Sequence, residues 1–279
     1  MNHILAAFEV SYQYPGSDRK ALQELQMNIP TGKRTAIIGH NGSGKSTFFL
    51  HSIGIVQPMS GMLQWKGEPL SYKRKDLQQL RQQIGLVFQD PEHQLIHSTP
   101  IEDIGYGMRN AGMSEDVIQQ RTSQMLRTFH LEHVANLPIH HLSLGLKKRV
   151  ALAGVVALEP EMLLLDEPTA YLDRHAERQF IDELNRLHGQ GMTIVMATHD
   201  MNLAYSWADW VIVMDQGRKV LEGDPLDVFY YNRAELPSEL EPPMLIEIWD
   251  GFPSTLRATI GTPPRKVHEM SQLFANHMS

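Results

Sequence analysis

The sequence contains a glycine-rich stretch, Gly39-His40-Asn41-Gly42-Ser43-Gly44-Lys45-Ser46-Thr47, that satisfies the pattern G-x-x-x-x-G-K-[ST]. This stretch follows an apolar run at residues 34–38 and precedes the apolar residues 48–50, which is the strand–loop–helix setting that the pattern requires. Glycines let the backbone curl so that successive N–H groups face phosphate oxygens, and the following helix adds a favourable dipole. We therefore predict that all nine residues bind a nucleoside triphosphate. Lys45 is expected to bridge the β- and γ-phosphates, and the Ser46 hydroxyl to ligate Mg²⁺.

A second motif ends in paired carboxylates. Residues 162–165 are all apolar, and Asp166, Glu167 and Pro168 follow them directly. At the C-terminal end of a strand, both carboxylates can reach a site that lies beyond the sheet edge. Asp166 is predicted to hold Mg²⁺ through its water shell, and Glu167 to polarise the attacking water. The alternative is a buried strand that surfaces at an acidic turn, and the phosphate loop in the same chain argues against it.

Short apolar runs indicate the fold class. They lie at residues 34–38, 84–88, 162–165, 193–197 and 211–214. Helix-like or loop segments separate them, which is typical of a mainly parallel sheet buried on both faces. Between the second and third runs, Ser114 followed by Glu115 and Asp116 predicts a helix start. We therefore predict an α/β fold whose core is interrupted by a helical insertion at about residues 90–157.

The composition changes after Gly223. Prolines recur from Pro225 to Pro264, which excludes long helices there, although residues 244–249 and 267–274 could form short ones. We predict a nucleotide-binding domain at residues 1–222 and a small C-terminal domain at residues 223–279.

Bulk properties exclude several classes of protein. The 279 residues are 42% apolar and carry a formal net charge of -7, which fits a globular protein and argues against a nucleic-acid partner. The absence of cysteine excludes disulfides and thiolate chemistry. No run approaches the roughly 18 apolar residues of a spanning helix, and the N-terminus lacks a signal-peptide pattern. Any role at a membrane is therefore expected to need a partner.

With these motifs in order, residues 1–222 resemble the ABC transporter ATPases, which are P-loop NTPases with a RecA-like core and a helical signature subdomain. The resemblance implies ATP and Mg²⁺ as cofactors. It implies that Tyr14 stacks on adenine, with Tyr12 as a rival, and that Gln89 senses both Mg²⁺ and the attacking water. His199 matches the switch histidine that contacts the γ-phosphate. Asp173 matches the D-loop, for which a simple helix N-cap is the alternative role.

The family signature L-S-G-G-Q has a divergent counterpart here, Leu142-Ser143-Leu144-Gly145-Leu146. Ser143 and Gly145, which the family uses on the γ-phosphate held by the partner chain, are retained. Leu144 replaces the first paired glycine and Leu146 replaces the glutamine. We expect a slowed but active composite site.

The resemblance also implies partners and a location. Two ATPase chains, identical or different, pair head to tail, and closure of the pair drives integral membrane transporter subunits at the cytoplasmic face of the inner membrane. Residues 87–95, V-F-Q-D-P-E-H-Q-L, and residues 147–150, K-K-R-V, resemble those of energy-coupling factor transporters. A C-terminal domain that pairs the two ATPases is a third shared feature. That group imports cobalt or nickel ions or vitamins.

Other functions remain as alternatives. The chain could serve another class of ABC transporter. Soluble ABC ATPases of DNA repair or translation usually carry a long coiled coil or two ATPase domains, and a P-loop kinase would lack both the 142–150 segment and His199. His93 and His97 have a spacing suited to one metal ion if that stretch is helical. Because substrates of the resembling family meet the membrane subunits, we expect surface or helix-cap roles for the histidines.

Overall fold

The fold is given by a computed structural model, which describes residues 2–277. Its strands are β1 (His3–Gln13), β2 (Lys20–Pro30), β3 (Arg34–Ile38), β4 (Ser60–Trp65), β5 (Glu68–Pro69), β6 (Ile84–Val87), β7 (Met162–Asp166), β8 (Thr193–Thr198), β9 (Trp210–Asp215) and β10 (Arg218–Gly223). Its helices are α1 (Lys45–Ser52), α2 (Arg74–Gln83), α3 (Pro100–Asn110), α4 (Glu115–Thr128), α5 (Leu144–Val156), α6 (Arg174–Gly189), α7 (Met201–Trp207), α8 (Met244–Asp250), α9 (Ser254–Ile260) and α10 (Val267–His277).

A six-stranded sheet forms the centre, in the order β10-β9-β3-β8-β7-β6. The five predicted strands are confirmed within two residues at each end, and they pair in parallel, while β10 adds an antiparallel edge. Both faces are covered, as β7 illustrates. Leu163 and Leu165 pack into one apolar cluster, whereas Met162 and Leu164 pack into the other. Because both faces need apolar side chains, these strands appear in the sequence as continuous apolar runs.

A second sheet was not predicted. It is antiparallel, in the order β2-β1-β4-β5, and it covers α1. Its register shifts at several points along β1, which interrupts the alternation of buried and exposed side chains. The sequence pattern of these strands is therefore weak.

The helical insertion contains α3, α4 and α5. As predicted, α4 begins directly after Ser114, although the Ser114 side chain makes no capping hydrogen bond. Met125 and Phe129 from this region pack with Val150 of α5 in the same apolar cluster as Leu163. The insertion is therefore continuous with the core of the central sheet.

The C-terminal segment packs against α7. The Tyr205 hydroxyl donates to the carbonyl of Pro263 at 3.3 Å, and Arg265 donates to the carbonyls of Tyr205 and Ala208. Phe229 and Ile246 are fully buried in the main apolar cluster. Of the helices within residues 2–277, none combines the length and the apolar character needed to cross a bilayer.

Candidate active site

The glycine-rich loop lies at the carboxyl end of β3 and leads into α1. Gly44 has a φ of 104°, and a side chain there would come within 2.7 Å of the Ala21 carbonyl. At Gly39 a Cβ would lie 2.2 Å from the Met214 carbonyl. Glycine is therefore required at both positions. No side chain caps the start of α1, so its first N–H groups are available to an anion.

Lys45 is buried in this loop. Its ammonium donates to the carbonyls of Gly39 at 2.6 Å and His40 at 3.1 Å. Burial lowers the pKa of Lys45, while the nearby Glu167 and Asp166 carboxylates oppose that shift. The loop therefore holds a fixed positive charge close to the two predicted catalytic acids.

A cavity of about 240 Å³ joins the loop to the acidic end of β7. Its lining brings together most of the predicted site residues: Tyr14, Asn41, Gly42, Ser43, Gly44, Lys45, Ser46, Thr47, Gln89, Asp166 and Glu167, with Ala21 in addition. Gly39 and His40 lie at the base of the same loop, where their carbonyls hold Lys45.

The oxygen atoms around this cavity fit a magnesium ion. Ser46, Asp166 and Gln89 line the same space. Burial raises the pKa of Asp166, and the Ser46 hydroxyl counteracts part of that rise. A hydroxyl, a carboxylate and an amide carbonyl are hard oxygen ligands of the kind that Mg²⁺ prefers.

Glu167 and His199 form a direct pair. His199 Nδ1 lies 2.9 Å from Glu167 Oε2, with the histidine 63% exposed and the carboxylate largely buried. The other oxygen, Oε1, is buried without a hydrogen-bond partner among the described residues. Glu167 therefore has one oxygen that is held by His199 and one buried oxygen whose hydrogen-bonding capacity is unused among the described residues.

The two N-terminal tyrosines differ in position. Tyr14 lines the cavity, and its hydroxyl lies 3.3 Å from Thr47 Oγ1. Tyr12 is turned toward the buried His51 ring, at a centroid distance of 4.8 Å. This placement favours Tyr14 over Tyr12 as the residue that contacts the base.

The signature and D-loop residues lie outside this cavity. Ser143 caps α5, its hydroxyl accepting a hydrogen bond from the Leu146 N–H, and Gly145 lies one residue into the helix. Asp173 caps α6 by accepting from the N–H groups of His175 and Ala176. Within one chain, the structure does not bring these residues to the phosphate loop.

No role for Lys148 was predicted from the sequence. It lies on the face of α5 that also carries Leu152 and Val156, yet it is fully buried and its ammonium reaches the loop after β7. A lysine on an otherwise apolar helix face is the signal that could have identified it. A second missed contact joins His40 to Asp215, with Nε2 and Oδ1 2.7 Å apart.

Among the described residues, no histidines gather into a metal site. His93 ends a three-residue 3₁₀ turn, so the helical premise for a His93–His97 pair is wrong. The His97 ring instead packs on Tyr106, at a centroid distance of 5.0 Å. Across residues 2–277, no group of three or more histidine or acidic side chains is placed to hold a metal ion.

Comparison with known proteins then identifies the family. The ABC transporter family profile matches residues 22–170, which include the phosphate loop, the signature segment and the paired carboxylates. The chain belongs to the ABC transporter ATPases. The family consists of ATP-hydrolysing transporter subunits, and this ABC ATPase carries its motifs on the expected elements.

Relatives match over nearly the whole chain. A Nostoc sp. (strain PCC 7120) protein, provisionally named an ABC transporter ATP-binding protein, is 50% identical over 89% of this ABC ATPase and 91% of its own length. An energy-coupling factor transporter ATP-binding protein of Clostridium perfringens (strain SM101) is 42% identical over 99% of both chains. A cobalt import ATP-binding protein of Rhodobacter capsulatus is 41% identical over 89% of this chain and 88% of its own.

A solved structure agrees with the fold. CbiO1 from Clostridium perfringens, described as part of the ABC transporter complex CbiONQ, superposes with a TM-score of 0.75 at 40% sequence identity. The match covers 84% of this ABC ATPase and 93% of CbiO1. The predicted P-loop α/β fold is thereby confirmed.

Proposed function

We propose that this chain powers an importer of the energy-coupling factor type, for a cobalt or nickel ion or for a vitamin, from the cytoplasmic face of the membrane. The observation that carries the proposal is the 42% identity, over 99% of both chains, with an energy-coupling factor ATPase. The similarity to a cobalt import ATPase supports the choice of a metal ion as the first substrate to test. The alternative is that this chain is the ATPase subunit of another class of ABC transporter.

The site geometry supports a division of roles in hydrolysis. Lys45 and the N–H groups at the start of α1 bind the phosphates, and Tyr14 contacts the base. Ser46, Asp166 and Gln89 would hold Mg²⁺, which when bound neutralises charge on the phosphates. Glu167 polarises the attacking water through its carboxylate, while His199 keeps Oε2 in place. Ser143 and Gly145 complete the site of a second ATPase chain, and Asp173 lies at the same contact.

An apolar groove beside Gln89 suits a membrane partner. It encloses about 290 Å³ between the end of β6 and helices α3 and α5, and Ile55, Phe88, Tyr106 and Leu158 line it. Ile96 beside it is 60% exposed. We propose that a helix of the membrane subunit docks in this groove. There, a movement of the loop that contains Gln89 would be transmitted to the docked helix.

Co-expression with candidate membrane subunits of an energy-coupling factor transporter tests the proposal. The complex should purify intact from detergent and hydrolyse ATP, and proteoliposomes should take up one of cobalt, nickel or a vitamin only with ATP. Ile55→Asp should release the membrane subunits and leave ATP binding by the free chain intact. An ATPase that neither assembles with them nor supports uptake would exclude the importer role.

Glu167→Gln tests the catalytic assignment. It should bind ATP with near-normal affinity and hydrolyse it about 10²-fold or more slowly, because the carboxylate charge that polarises the water is lost. With hydrolysis blocked, ATP should hold two chains together as a dimer on a sizing column. Near-normal turnover by this variant would show that another residue orients the water.

A further inference from the structure

Lys148 makes an unusual set of contacts for a buried side chain. It lies on α5, just beyond the signature, and is 1% exposed. Its ammonium donates to three backbone carbonyls in the loop after β7: Pro168 at 2.8 Å, Ala170 at 3.0 Å and Glu167 at 3.3 Å. A lysine ammonium has three N–H donors, so this one side chain can use all of them on one short loop.

The loop that it holds has an uncommon backbone. Glu167 has a φ of 44° and Tyr171 a φ of 63°, although neither is glycine. Such conformations are costly for residues with a side chain, and they persist where the surrounding contacts impose them. The other restraints here include an Ala170 N–H bond to the Glu167 carbonyl and a Leu172 N–H bond to the Thr169 carbonyl. From outside the loop, the Ala197 carbonyl of β8 accepts from the Glu167 N–H at 2.9 Å, and the ammonium of Lys148 adds three further hydrogen bonds.

Burying the charged ammonium of Lys148 at this position carries a desolvation penalty that an apolar side chain would not. Burial lowers the pKa of Lys148 to about 8, while the charges of Glu167 and Asp90 oppose the shift. Leu152 and Val156, on the same helix face, show that apolar side chains pack well there. The charge is retained together with its three hydrogen bonds, since an apolar residue here would leave the Glu167, Pro168 and Ala170 carbonyls without this donor.

We propose that Lys148 is a positioning residue for ATP hydrolysis, which fixes the loop carrying Glu167 so that the Glu167 carboxylate faces the attacking water. This inference rests on the role proposed above for Glu167. Lys148 has no place in nucleotide binding, since it does not line the cavity. Its loss should therefore affect the chemical step and leave ATP affinity intact.

Lys148→Met removes the ammonium and keeps a long apolar side chain. We expect kcat to fall about 10- to 100-fold, with KM and the directly measured Kd for ATP within about threefold of the wild type. Lys148→Gln retains two N–H donors and should lose less activity. Lys147→Met is the matched control, because Lys147 lies on the same turn and pairs with the exposed Glu92 instead of the loop. It should hydrolyse ATP at the wild-type rate.

A double-mutant cycle separates positioning from general destabilisation. In the Glu167→Gln background there is no carboxylate to orient, so Lys148→Met should change the residual single-turnover rate by less than about twofold. A residue that only stabilises the fold would reduce the rate by the same factor in both backgrounds.

Two outcomes would overturn the inference: normal kcat in Lys148→Met, or an equal loss of rate with and without the Glu167 carboxylate. If Lys148→Met does not fold, the same cycle with Lys148→Gln decides the question. The role proposed for Glu167 fails separately, through normal turnover by the single Glu167→Gln variant.

Discussion

Lys45 carries the charge that the phosphate loop offers to a nucleotide. Its ammonium donates to the Gly39 and His40 carbonyls, so the backbone of the loop itself sets the position of this charge. At the scale of single residues, the site thus depends on charges and oxygens whose positions are set by backbone groups of the same loop.

Lys45→Ala should weaken ATP binding by roughly 1.5–3 kcal/mol, because it removes a charge-assisted hydrogen bond to the phosphates. A titration with a fluorescent ATP analogue measures this directly. Lys33→Ala is a suitable control, since the Lys33 ammonium lies over the Trp210 ring, away from the cavity. Unchanged ATP affinity in Lys45→Ala would contradict the predicted role of the whole loop.

His40 should make the loop sensitive to pH. Its pKa is raised by the hydrogen bond to the Asn41 carbonyl and by the hydrogen bond and charge of Asp215. The His40–Asp215 pair therefore stabilises the folded chain fully below the pKa of His40 in the unfolded chain, about 6.5. This stabilisation is lost as the pH rises through the higher pKa of His40 in the folded chain. Asp215→Asn should lower the His40 pKa measured by NMR and flatten this part of the stability curve. An unchanged His40 titration would contradict the pairing.

At the scale of elements, the start of α5 explains how a divergent signature can remain functional. Ser143 caps the helix through its hydroxyl, and Leu144 begins the helix without a positive φ. Glycine is therefore not needed there for backbone reasons. Leu144 adds bulk, and Leu146, whose side chain packs partly on the main apolar cluster, replaces a polar group.

The double change Leu144→Gly with Leu146→Gln should raise ATP turnover of the assembled transporter several-fold. It restores space and a polar side chain where the partner's nucleotide would bind, and it leaves the Ser143 hydroxyl in place. Steady-state hydrolysis by the purified complex measures the effect. Unchanged or reduced turnover would mean that the two leucines are fitted to their site, and thermal denaturation of the free chain would control for the packing lost at Leu146.

At the scale of the whole molecule, the C-terminal segment contributes to the main apolar core. Phe229 and Ile246 complete the main core, so a chain cut at Gly223 would lose core packing as well as any dimer contact. Other apolar side chains of the segment face outward, including Met244, Ile248, Val267 and Phe274. We propose that this outer surface pairs two ATPase chains without nucleotide, as predicted for residues 223–279.

Val267→Asp combined with Met244→Asp should therefore give a monomer on analytical ultracentrifugation without nucleotide, while ATP binding is retained. Val267 is 72% exposed, so a charge there costs the folded chain little. Met59→Asp, at an equally exposed apolar residue outside the segment, is the control and should leave the association unchanged. A dimer that persists in the double variant would place the contact elsewhere.

The sequence by itself determined the central sheet and the positions of the phosphate loop and the paired carboxylates. These features are local: a strand buried on both faces is a continuous apolar run, and the groups that bind phosphate or magnesium follow it within a few residues. Only the tertiary structure decided which of Tyr12 and Tyr14 faces the cavity, that His40 pairs with Asp215, and that Lys148 holds the loop carrying Glu167. Each of these depends on register or on contact between segments far apart in the chain. The antiparallel sheet escaped prediction for the same reason, since the register shifts along β1 remove the alternation that would have marked it.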